Sequence, residues 1–170
     1  MVLDVGLLFE GVISELPFEL DLDLSKEKVA NQVIFPEKMH VTGKVSARAG
    51  IVSLAYSAES LLKTACDLCL DSIEKPWEKS FSHVLILESD DEEPVLYVSC
   101  PGGFLDVTQM VISDVFLSLP IRFVCKPDCK GLCDRCGKNL NDGPCDCLST
   151  EIDPRLLPLQ KLLEEAKKEH

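Results

Sequence analysis

The sequence predicts an α+β protein: a mainly antiparallel β-sheet or barrel-like body, two helices, and a C-terminal cysteine-rich lobe. Three observations lead there. Through residues 1–88, apolar and polar residues tend to alternate between turn residues, the period-two pattern of half-buried strands. Two later runs, 107–119 and 151–170, repeat apolar residues at helical spacing. Residues 125–147 hold six cysteines in 23 positions with almost no apolar content, so this stretch cannot build a core and something else must order it.

Composition sets the limits. At 170 residues and 46% hydrophobic content, the chain can bury a core of ordinary size. A formal net charge of −12 repels phosphate backbones at long range and attracts basic partners, so any nucleic-acid contact needs a local basic patch. The start MVLDVGLLFEGV is acidic and lacks the basic opening of a signal peptide, and no run of eighteen apolar residues exists. The expectation is a soluble, cytoplasmic protein without a membrane partner.

The body is expected over 1–122. Leu7–Leu24 alternates in part, with Pro17 at an edge or bulge. Val33-Ile34-Phe35-Pro36 reads as a short strand stopped by proline. Met39–Arg48 and Ile51–Leu62 flank Ala49-Gly50, the mark of a hairpin. Ser72–Glu88 reads as a long strand, 88–94 as an acidic loop, and Val95–Val98 as a short strand. Asp106 can cap a helix near 107–119, where Val107, Met110, Val111, Ile112, Val115, Phe116 and Leu119 form one apolar face and Pro120 ends it. The lobe is expected over 123–150. A C-terminal helix over 151–170 opens at Asp153-Pro154, and Pro158 delays its regular part.

Eight of the nine cysteines fall into close pairs: Cys66/Cys69, Cys125/Cys129, Cys133/Cys136 and Cys145/Cys147. A short loop delivers two thiolates to one ion at little entropic cost, and four pairs supply two tetrahedral sites. Cys133-Asp134-Arg135-Cys136-Gly137 has the spacing of a zinc-ribbon knuckle, in which glycine relieves the turn. Cys145 and Cys147, two apart in an extended segment, face one side. The preferred partition is Cys133, Cys136, Cys145 and Cys147 as one local site, and Cys66, Cys69, Cys125 and Cys129 as another that pins the lobe to the sheet. The other partition joins Cys125, Cys129, Cys133 and Cys136 and leaves two pairs spare. Cys100 has no near partner and reads as a free structural thiol.

One or two structural zinc ions are the expected cofactor. A secreted disulfide scaffold fits poorly with an odd cysteine count and no export signal. A catalytic zinc keeps an open position, usually with histidine or carboxylate ligands, and His40, His83 and His170 all lie far from the cysteines in sequence. The pairs also lack the strand-then-CxxC context of a thiol oxidoreductase and the spacing of a ferredoxin. No enzyme and no small-molecule substrate are therefore expected. Arg122, Lys126, Lys130, Arg135 and Lys138 form the clearest basic segment, opposed by Asp128 and Asp134, and are the candidates for RNA or partner contact. A zinc held by four thiolates carries about −2, so these cations have a competing role in neutralising the sites.

The chain resembles the YceD family of large ribosomal RNA subunit accumulation proteins. The resemblance rests on Cys66-Asp67-Leu68-Cys69-Leu70, on the helix ending at Leu119-Pro120, and on the run from Cys125 through GLCDRCGKNLN (131–141). Cys145-Asp146-Cys147 and Ile152-Asp153-Pro154-Arg155 complete it. It implies a non-enzymatic factor for large-subunit rRNA accumulation or processing. Precursor rRNA would then be a partner; the acidic charge of the chain points instead to a basic ribosomal protein. The alternative reading is a zinc-ribbon-like interaction module in transcription or another assembly.

Overall fold

A computed structural model describes residues 1–29, 32–87 and 97–147. Its elements in chain order are β1 (Val2–Asp4), α1 (Gly6–Phe9), β2 (Glu15–Leu22), β3 (Met39–Arg48), β4 (Ile51–Ala65), β5 (Ser72–Ile86) and β6 (Tyr97–Ser99). A 3-10 turn (Pro101–Gly103), β7 (Phe104–Asp106) and α2 (Val107–Leu117) follow. The architecture is α+β: a five-stranded sheet ordered β2-β3-β4-β5-β6, antiparallel except for β5 with β6, and a separate β1-β7 pair.

Alternation decides which face of the sheet is buried. Leu16, Phe18, Leu20 and Leu22 of β2 align with Met39, Val41 and Val45 of β3, and with Val52, Leu54, Tyr56 and Ala58 of β4. Val107, Val111 and Val115, one turn apart on α2, are fully buried, as are Val5 and nearly Leu8. Each such side chain contributes about 1.5–3 kcal/mol through burial. Asp106 caps α2 by accepting from the Gln109 N–H at 3.3 Å. Asp114, on the same helix, accepts from the Tyr56 hydroxyl and lies 2.7 Å from His83 Nε2, tying α2 to β4 and β5. Burial first, and then Asp114, push the Tyr56 phenol above its ordinary range.

Gly43 sits mid-strand on the buried face. A Cβ there would lie 2.4 Å from the Tyr56 Cβ and 2.8 Å from the Phe18 ring, so the crossing of these side chains requires its absence. The opposite face is polar and open, with Asp21, His40, Glu59 and Glu78 in one row across four strands. Pro17 lies in edge strand β2. Pro76 lies where β5 has β4 on one side only, since β6 pairs from Val84 onward.

Two expectations need correction. Val33–Pro36 forms no strand. Ile34 and Phe35 instead plug the hairpin beyond the end of β3: Phe35 meets Trp77 edge-on at 5.3 Å, and the Ile34 carbonyl accepts from the Lys63 N–H. The segment read as extended from Leu7 contains α1 before β2 begins at Glu15. The hairpin at Ala49-Gly50 is present, with both residues at positive φ in a two-residue connection. The acidic loop at 88–94 and the C-terminal helix at 151–170 lie outside the described residues.

Candidate metal centres

Strands β4 and β5 run for 15 residues each, roughly 50 Å at about 3.3 Å per residue. Their last pair is Ala65 with Ser72, so Cys66–Asp71 is the hairpin's end loop. The loop folds back tightly: Leu70 N–H donates to the Cys66 carbonyl at 2.9 Å, and Cys66 N–H to the Asp71 carbonyl at 2.8 Å. Leu70 takes a positive φ of 63° to complete the turn. Cys66 and Cys69 belong to the apolar core, with exposures of 0% and 3%.

The chain returns to this loop after α2. Asp67 N–H donates to the Phe123 carbonyl, and Phe123 N–H to the Asp67 carboxylate, aligning residues 123–125 with the hairpin end. Cys125 and Cys129 then face Cys66 and Cys69. The Cys66 and Cys129 sulfurs are 3.8 Å apart, and those of Cys69 and Cys125 3.6 Å.

A second turn repeats the first. Gly137 N–H donates to the Cys133 carbonyl at 2.9 Å, and Cys133 N–H to the Lys138 carbonyl at 2.8 Å, with Gly137 at φ 72°. Leu132 and Asn139 bridge across its base. Cys145 approaches Cys133 at 3.4 Å between sulfurs. In chain order the eight sulfurs thus gather as a first group, Cys66, Cys69, Cys125 and Cys129, and a second group, Cys133, Cys136, Cys145 and Cys147, within 4.8 Å of one another in each group.

The donor sets fit a tetrahedral metal. With Zn–S bonds of about 2.3 Å, sulfurs at the corners of a tetrahedron stand about 3.8 Å apart, close to the spacings seen. Electrostatics favours the same occupant. Burial opposes ionisation of Cys66, but the N–H groups of Cys69, Leu68 and Cys125 aim at its sulfur and bring it down to about 6. N–H groups of Cys136 and Arg135 bring Cys133 down to about 7. Within the same groups the Cys136 sulfur, and then burial, push Cys147 up to about 12. Burial raises Cys125. Cys69 is raised as well: the Asp71 N–H favours its thiolate but is outweighed by burial, the Asp71 carboxylate and the neighbouring sulfurs. Crowded thiols cannot all ionise beside one another, and a divalent cation removes that conflict.

Sequence reasoning passed over Asn139 and Asn141. Asn141 donates to the Cys129 sulfur at 3.3 Å and accepts from the Lys130 N–H at 3.0 Å. Its amide, more than any other neighbour, favours the Cys129 thiolate and holds that thiol below its ordinary range. Asn139 donates to both Asp71 carboxylate oxygens. The available signal was the tight run Cys136-Gly137-Lys138-Asn139-Leu140-Asn141, whose two amides stand two apart.

The five candidate basic residues are all exposed. Lys138 donates to the Pro144 carbonyl at 2.8 Å and so braces the second cysteine loop. Among the described residues, no carboxylate forms an ion pair with Arg122, Lys126, Lys130 or Arg135. Cys100 is buried and apart from both sulfur groups, its thiol raised by burial. His40 and His83 lie beside Asp21 and Asp114, away from the sulfurs. No described helix is long and apolar enough to cross a membrane.

The family model described as Large ribosomal RNA subunit accumulation protein YceD matches residues 54–163, a span that contains every paired cysteine. An Arabidopsis thaliana protein named Large ribosomal RNA subunit accumulation protein YCED homolog 1, chloroplastic, is 38% identical over 61 residues, 36% of this chain and 19% of that protein. Uncharacterized protein Rv2926c of Mycobacterium tuberculosis is 30% identical over 150 residues, 85% of this chain and 62% of its own length. Uncharacterized protein YlbN of Bacillus subtilis is 25% identical over 134 residues, 75% of each chain. The chain thus spans about a fifth of the Arabidopsis relative and under two thirds of the mycobacterial one. No solved structure matches it. With the family match covering well over half of its length, the chain belongs to the YceD family.

Proposed function

We propose that this chain is a non-enzymatic factor that supports accumulation and processing of large-subunit ribosomal RNA in ribosome biogenesis, its fold held by two structural zinc ions. The observation that carries this reading is the family match over 54–163, which takes in both sulfur groups. Four thiolates complete a tetrahedron and leave no open position for a water or substrate, which supports a structural role. Thiolate sites persist in a reducing compartment, which fits a cytoplasmic factor.

Charge favours a basic ribosomal protein over bare RNA as the direct partner. The chain carries −12 overall. Between 122 and 147, five basic residues face four acidic ones, and two zinc–thiolate centres at about −2 each make the lobe acidic. Holding or delivering a basic protein would then promote rRNA accumulation indirectly.

Depletion tests the reading, with large- and small-subunit rRNA quantified alongside gradient sedimentation of the factor. A selective fall in large-subunit rRNA, with the factor sedimenting on precursor large subunits, is expected. Equal loss of both rRNAs, or a factor confined to the top of the gradient, contradicts it. Crosslinking separates the partners: recovery of naked rRNA and no ribosomal protein removes the protein-holding mechanism.

A further inference from the structure

We infer that the two sulfur sites bind metal cooperatively, coupled through Asn139 and Asn141; this rests on the reading that both sites hold zinc. The two asparagines stand in the loop between Cys136 and Cys145, both in the second group, yet their side chains serve the first. Asn141 Nδ2 donates to the Cys129 sulfur at 3.3 Å, while its Oδ1 accepts from the Lys130 N–H. Asn139 Oδ1 accepts from Asn141 through both its backbone N–H, at 3.0 Å, and its Nδ2, at 2.9 Å. Asn139 Nδ2 reaches Asp71, whose carboxylate contacts Cys69. The Lys130 N–H needs an oxygen acceptor, which fixes the Asn141 amide with its nitrogen toward sulfur.

The two asparagines therefore join the chain after Cys129 to the chain after Cys69, bracketing the first group from outside. Apart from Pro144, their loop, 137–144, contains one apolar side chain, Leu140, so burial alone orders it weakly. A metal on Cys133, Cys136, Cys145 and Cys147 fixes both ends of the loop and presents the two amides ready-made. Hydrogen-bond partners behind a ligating atom typically change metal affinity by about 10–100-fold. Coupling between sites is reciprocal, so the first site must strengthen the second by the same factor. Backbone bonds from Leu132 to Leu68 and from Leu140 to Gly131 carry part of the same linkage. Asn139 and Asn141 act here as positioning residues.

The test is a competition titration of zinc with a chromophoric chelator on the full chain. Four proteins are compared: wild type, Cys133→Ser/Cys136→Ser, Cys66→Ser/Cys69→Ser, and Asn139→Ala/Asn141→Ala. Each cysteine variant should keep one zinc, bound about 10–100-fold more weakly than the corresponding zinc of the wild type. The asparagine variant should keep two, with the first-group zinc weakened about tenfold or more. Adding the asparagine changes to Cys133→Ser/Cys136→Ser should cause little further loss. With cobalt in place of zinc, Asn141→Ala should shift the thiolate-to-metal absorption of the first group and leave that of the second unchanged. Two zincs with affinities independent of the other site's ligands overturn the coupling alone. Asparagine effects that simply add to the cysteine effects remove Asn139 and Asn141 as its carriers. A wild-type chain without zinc overturns the coupling and the metal reading together.

Discussion

Cys66–Leu70 and Cys133–Gly137 are the same turn in two settings. Each is Cys-Asp-x-Cys followed by a residue of positive φ, and each is closed by the same pair of backbone hydrogen bonds at the same lengths. The first caps a long hairpin and buries its cysteines in the core. The second stands in a segment with little apolar mass, and its Cys136 is exposed. The first turn would therefore form on hydrophobic packing and use metal to bring in Cys125 and Cys129. The second would depend on metal for its own order.

The largest expected effects come from breaking each turn. Cys66→Ser/Cys69→Ser removes core side chains and the pin between lobe and sheet. It should lower the melting temperature of the body and release protection from hydrogen exchange across 123–129, while the turn at 133–137 keeps its own zinc; the cost should exceed the ~4–5 kcal/mol that single substitutions rarely exceed. Cys133→Ser/Cys136→Ser should lower the metal count by about one and free the amides of 130–147 to exchange, while β3 and β4 keep their protection. Equal damage to the sheet by both variants would erase the contrast.

Gly43→Ala approaches the comparison from the other side. The added methyl overlaps Tyr56 and Phe18, and overpacking of this kind costs roughly 1–3 kcal/mol or more. Thermal melts should show a weakened sheet, while metal analysis of the folded protein still finds both ions.

Exchanging the fifth residues of the two turns is a finer test. Left-handed backbone costs a non-glycine residue about 1–2 kcal/mol. Leu70 bears that cost with its side chain 67% exposed, whereas Gly137 escapes it. Leu70→Gly should stabilise the protein by about 1 kcal/mol, and Gly137→Leu should weaken metal retention by a similar amount; chemical denaturation and chelator competition measure them. Space is no obstacle at Gly137, where an added Cβ meets nothing within 4 Å.

The smallest effect lies on the open sheet face, far in sequence from either turn. Asp21, hydrogen-bonded to His40, raises the histidine above its ordinary 6.5. A raised folded-state pKa stabilises below the unfolded value, and that stabilisation disappears as pH rises through the folded one. His40→Gln should therefore lower the melting temperature slightly in mildly acidic buffer and leave it unchanged in alkaline buffer, with metal content constant throughout.

Much of this was legible in the sequence because pairs of cysteines and strand alternation are local signals. The hairpin at Ala49-Gly50, the long β5 and the cap at Asp106 each rest on residues a few positions apart. What could not be read depends on distant contacts. Ile34 and Phe35 look like a strand until the ribbon beyond β3 offers them a surface to plug. Leu70 gives no hint that it occupies a glycine's conformation, because only closure of the β4–β5 hairpin forces it there. Asn139 and Asn141 look like loop polar residues until Cys129 arrives from the other site.

Native mass spectrometry of the full chain, paired with thiol alkylation, asks whether both sulfur groups hold zinc in the folded protein. Two zinc ions per chain are expected, with eight cysteines protected from alkylation until a chelator is added and Cys100 shielded by burial until the protein unfolds. A chain that folds without metal and offers the eight paired cysteines freely to the reagent would contradict that expectation.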